Sequence, residues 1–99
     1  MVERTVEQAV KAYTHKCGGR AYKCVSPGSP GVPDRICLFP GGIIIFVELK
    51  RPGLKDGRSA RQKKVNACLQ RLGFNVWLIN DKYEFIQRLT ALGVSPIEV

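Results

Sequence analysis

The chain is short of acid: 8 Asp and Glu stand against 16 Lys and Arg. It also has one histidine, one methionine and no long apolar run. Each shortage excludes something. The β-prone run at 43–47 is far shorter than the roughly 18 residues that cross a bilayer, so no membrane association is expected. The N-terminal stretch carries Glu3, Glu7 and scattered cations, with no apolar core followed by a small-residue cleavage site. No secretory signal is therefore visible, and a cytoplasmic location is expected. Cys17, Cys24, Cys37 and Cys68 form no Cys-x-x-Cys pair, and His15 has no second histidine to accompany it, which argues against zinc. Four reduced thiols serving as small core residues are the expectation, with disulfides the minor alternative. Repeats and low-complexity segments are also missing.

What is present fits one domain spanning residues 1–99, long enough for a single modest core. The formal charge of +8 and a pI near 9.7 bias the whole chain toward polyanions, nucleic acid first among them. A basic surface kept only for solubility is the plainer alternative. Local clustering weighs against it, because Lys50, Arg51, Lys55, Arg58, Arg61, Lys63 and Lys64 crowd one stretch with Asp56 as the lone acid.

Periodicity predicts a helix over 3–16, with Val6, Ala9, Val10 and Tyr13 in its apolar stripe and Gly18-Gly19 as its stop. Glu7 borders that stripe, whereas Glu3 reads as a helix-start acid. Residues 20–25 read as a short strand in which Ala21, Lys23 and Val25 share a face, so Lys23 either faces the site or is a solvated edge lysine. Residues 26–32, with two Pro-Gly pairs, are loop. Strands at 34–39 and 43–50 flank the turn Pro40-Gly41-Gly42, and the second, apolar on both faces, reads as an inner strand. Ser59-Ala60-Arg61-Gln62 is a capping-box pattern opening a helix striped by Val65, Cys68, Leu69 and Leu72. Residues 74–79 form a further strand, and Asp81 opens a last helix carrying Phe85, Ile86, Leu89 and Leu92. The order α-β-β-β-α-β-α predicts an α/β (α+β) fold, a mixed sheet flanked by helices. Apolar content alone points to the Trp77 strand and the C-terminal helix as candidate dimer surfaces.

The charges sit at unusual places in this scheme. Glu48 and Lys50, two residues apart at the end of an apolar strand, share a face about 6.6 Å apart along the axis. A hairpin through 40–42 sets Asp34 near Glu48. Two converging carboxylates suit a hard cation, magnesium or manganese, with a backbone carbonyl such as that of Leu49 completing the protein's share. Such an ion would polarise a phosphate and acidify a water, and Lys50 would hold or deprotonate that water. A Glu48–Lys50 salt bridge is the plainer reading, but it leaves Asp34 unexplained. Gln62 either caps its helix or turns to the sheet to orient Lys50 or the water, two roles expected to conflict. Arg58, Arg61, Lys63 and Lys64 would grip flanking phosphates, with Lys23, Arg51 and Lys55 as further candidate DNA contacts.

Glu7 in the first helix, Gly31-Val32-Pro33-Asp34, Val47-Glu48-Leu49-Lys50 and Gln62 opening a later helix resemble the VRR-NUC (virus-type replication-repair nuclease) group of the PD-(D/E)xK superfamily. The resemblance covers nearly the whole chain. It implies a restriction-endonuclease-like core and a magnesium- or manganese-dependent phosphodiesterase with Glu7, Asp34, Glu48, Lys50 and Gln62 in its site, Glu7 acting on the metal through water. It further implies a homodimer cutting branched DNA such as four-way junctions, in the bacterial host cytoplasm if the gene is phage-borne, with no small-molecule cofactor. A nonspecific nicking or restriction-type nuclease, and a non-catalytic basic nucleic-acid-binding module, are the competing functions.

Overall fold

A computed structural model describes residues 3–24, 31–49 and 58–97 of the chain, with side chains from Thr5 onward. The element order is α1 (Glu3–Lys16), β1 (Arg20–Lys23), β2 (Arg35–Phe39), β3 (Ile43–Leu49), α2 (Ala60–Arg71), β4 (Asn75–Ile79) and α3 (Lys82–Ala91). This is the predicted order, a mixed α+β architecture. The strands lie in the sequence β1-β2-β3-β4. The first three pair antiparallel, and β4 pairs parallel to β3 after the α2 crossover.

Alternation along the strands divides the sheet into two faces. Cys37, Phe39, Ile45, Val47, Leu49, Trp77 and Ile79 point to one of them and meet Val6 and Val10 of α1 and Phe85 and Leu89 of α3 in the main core. Aromatic rings key this layer: Phe85 meets Tyr13 edge-on at 6.4 Å and Trp77 at 6.0 Å. Trp77 is thus buried in the core, with Arg88 stacked over its ring at 5.6 Å, and its side chain is withdrawn from any dimer surface. The opposite face carries Ile36, Ile44, Phe46, Glu48, Val76 and Leu78, and α2 packs there against β4.

Helix α2 corrects its expected stripe. Val65 and Leu69 are half-buried, but Cys68 is exposed and Leu72 is 69% exposed. Asn66 is the buried residue of this helix, and two residues further on, at about 100° each, Cys68 is turned toward solvent. The four thiols therefore divide: Cys17 and Cys37 are core residues as expected, Cys24 is half-buried and Cys68 lies outside, all four free.

A close approach fixes the turn after α1. A Cβ on Gly19 would stand 2.2 Å from the Leu38 carbonyl oxygen, so this position admits no side chain. Gly31 does the same for the segment that delivers Asp34. Its φ of +97° is a left-handed conformation, and a Cβ there would press on Arg61 and Val65 of α2 at 3.0–3.2 Å.

Candidate active site

The β2–β3 register ends at the pair Arg35↔Val47. One step further places Asp34 across from Glu48, on the face that α2 covers. The Leu49 N–H donates to Asp34 Oδ2 at 2.8 Å, which binds this carboxylate to the end of β3. On its other side the Asp34 carbonyl accepts from the Cys24 N–H at 2.9 Å, extending the ladder beyond β1. The Cys24 thiol is consequently raised, chiefly by burial and then by the neighbouring charges of Asp34 and Glu48. These residues form a cross-strand row at the carboxyl end of the parallel pair β3–β4, where open α/β sheets place their ligands.

Glu48 is 1% exposed. A carboxylate taken so far from water needs charge or hydrogen-bond partners. One is Gln62, whose Nε2 donates to Glu48 Oε1 at 3.3 Å. The same Gln62 completes the capping box of α2: its Oε1 accepts from the Ser59 N–H at 2.8 Å, while its own N–H donates to Ser59 Oγ at 3.1 Å. The expected conflict between capping and site roles is absent because a primary amide has two ends. The carbonyl caps the helix and the NH2 reaches the sheet.

Glu7 goes elsewhere. Its Oε1 accepts from Arg35 Nη2, and Arg35 lies on the core face, in register with Lys23 and Val47. Asp34, Glu48 and Gln62 are therefore brought together, while Glu7 is engaged from the opposite face of the sheet. Lys23 is exposed on the edge strand and shares the Arg35 face. Arg58 is half-buried, whereas Arg61, Lys63 and Lys64 are exposed along α2. Lys50, Arg51 and Lys55 lie outside the described residues.

The donors gathered here are hard oxygens, the class that magnesium and manganese prefer. Among the described residues no three acidic, cysteine or histidine side chains cluster as a metal cage. Two carboxylates match an ion that keeps several of its waters, so the residues present fit such a group.

No family model matches the chain. A protein named "Putative nuclease p44", from Acyrthosiphon pisum secondary endosymbiont phage 1, is 42% identical over 80 residues, which is 81% of this chain and 84% of that protein. A solved VRR-NUC domain is similar in structure with a TM-score of 0.77 at 26% identity, covering 90% of this chain and 94% of the other. The chain belongs to the VRR-NUC family.

Two functional candidates in this VRR-NUC domain escape a reading by motif. Arg35 is a cation on the inward-facing side of a strand, alternating with Cys37 and Phe39, and such a charge demands a partner. Glu7 supplies it. Asn66 lies four residues beyond Gln62 and so on the same helical face, the position where an apolar residue is expected.

Proposed function

We propose that this chain is a magnesium- or manganese-dependent DNA endonuclease selective for branched DNA such as four-way junctions, and that it acts as a homodimer. The observation that carries the reading is the opposition of Asp34 and Glu48 across the hairpin, with Glu48 buried and held by Gln62. The family and its phage relative support nuclease chemistry, and the +8 charge suits a nucleic-acid substrate.

Asp34 and Glu48, with the Leu49 carbonyl, would hold the ion, which when bound polarises the scissile phosphate and lowers the pKa of a water. Lys50 takes the proton as the water oxygen attacks phosphorus, the ammonium so formed stabilises the charge that gathers on the phosphoryl oxygens, and the leaving oxygen takes a proton from solvent as the opposite P–O bond breaks. Gln62 keeps the Glu48 carboxylate in one orientation. Glu7, paired with Arg35 on the other face of the sheet, has no direct place at the ion and would act there only across intervening water. The basic residues of the 50–64 stretch bind the flanking phosphates without regard to sequence.

Incubation with a labelled four-way junction and a linear duplex, in magnesium, manganese or chelator, tests this reading. Cleavage of the junction in either metal and none in chelator is expected. No metal-dependent cleavage of either substrate would leave the protein a basic binding module. Equal cleavage of both would leave a nuclease without branch selectivity.

A further inference from the structure

Asn66 is 2% exposed, the buried position of α2. Leucine or valine would fill this position against the sheet without polar atoms to satisfy, so the amide must answer another demand. With the amide oriented to satisfy both its ends, Asn66 accepts from Arg58 Nη1 at 3.0 Å and donates to the Gln62 carbonyl at 3.2 Å. The second contact is secondary, because a helical carbonyl already has its i+4 backbone partner. The first is specific. Arg58 precedes the N-cap Ser59, and its guanidinium reaches back to the side of α2 that carries Gln62 and Asn66, the side from which Gln62 meets Glu48.

We propose that Asn66 is a positioning residue, holding Arg58 so that its planar guanidinium meets a DNA phosphate beside the Asp34–Glu48 carboxylates. This rests on the nucleic-acid reading above. A guanidinium carries five donors in a fixed fork, and Asn66 takes one of them, which sets the plane in which the fork is presented. An arginine lacking this contact would be less well ordered before the phosphate arrives, with loss of affinity.

The decisive variant is Asn66→Thr. A threonine hydroxyl in a helix donates to the carbonyl four residues back, as Thr14 does to Val10 and Thr90 to Ile86 at 2.8 Å. It therefore keeps the Gln62 contact but is too short to reach Arg58. Binding of a labelled duplex in chelator, titrated with KCl, is compared for wild type, Arg58→Ala, Asn66→Thr and the double variant, with thermal unfolding of each. Arg58→Ala is expected to weaken binding about fivefold to tenfold and to reduce the steepness of log Kobs against log salt by about 0.9. Asn66→Thr should reproduce most of both effects with little change in Tm, and the double variant should bind no more weakly than Arg58→Ala alone. A double variant whose loss is the sum of the two singles, or an Asn66→Thr with wild-type affinity and slope, would overturn the positioning role. Should Asn66→Thr not fold, Asn66→Ser gives the same comparison, its hydroxyl making the same back-bond. A wild type with no affinity for the duplex would overturn the nucleic-acid reading itself, a distinct failure.

Discussion

Glu48 is the residue at which stability and the proposed chemistry oppose each other. Burying a carboxylate is costly, and a fold alone would prefer an uncharged isostere there. Glu48→Gln is therefore expected to abolish junction cleavage, by at least about 10²-fold, while leaving duplex affinity and Tm unchanged or slightly raised. Cleavage assays beside thermal melts check this, and a variant that still cuts would remove Glu48 from the site. The Cys37 thiol gives a second test at the same scale. Burial, the largest influence, lifts it from 9.0 to about 11, against smaller lowering by the Thr14 hydroxyl and Arg35. The unfolded chain then loses this proton first. The contribution is complete below pH 9 and is lost as pH rises toward 11, amounting to about 2 kcal/mol over that window. In Cys37→Ala the fall of stability with alkaline pH should be shallower by that amount in urea titrations. Asp34 and Glu48 could be read from sequence because charges inside or beside an apolar strand stand out. Arg35 and Asn66 could not, since their meaning depends on partners 28 and 8 residues away.

At the scale of elements, the cap of α2 and the site are one device. Ser59, Gln62 and Glu48 form a chain of hydrogen bonds from the helix start to the end of β3. Ser59→Ala removes one bond of the capping box and should cost about 1 kcal/mol of stability. Because Gln62 is then less fixed, kcat should fall several-fold with KM nearly constant, whereas a cap serving only the fold would leave kcat alone. Gly31→Ala acts on the other approach. It forces a side chain into a φ of +97° and against Arg61 and Val65, so the segment carrying Asp34 must move away from α2. A loss of about 1–3 kcal/mol in stability is expected, with a parallel loss of cleavage. The order of elements was legible in the sequence because periodicity and glycine stops agree; α1 spans 3–16 as read. The stripe of α2 was not legible. Its sheet-facing side centres on polar Gln62 and Asn66, so hydrophobicity alone rotates the helix toward Cys68 and Leu72, which are exposed.

At the scale of the whole molecule, one sheet and one main core carry one set of carboxylates among the described residues, yet resolving a junction requires two cuts. A two-fold dimer would set two such sites in fixed relation. Charge does not decide this, because +8 attracts DNA to a monomer as well. Mixing does. Wild type and Glu48→Gln, combined in equal amounts and allowed to exchange subunits, would leave about one quarter of dimers with two live sites and about one half with one. On a supercoiled plasmid extruding a cruciform, paired cuts give linear product and single cuts give nicked circles. A dimer predicts that early linear product falls to about one quarter while nicked circles accumulate, since the hybrid cuts one strand and holds the junction. Independent monomers predict that the early rate of nicking falls by half, with linear product appearing only after a lag as second molecules arrive. The same plasmid without the cruciform separates branch selectivity from general nicking, because a selective dimer should leave it supercoiled.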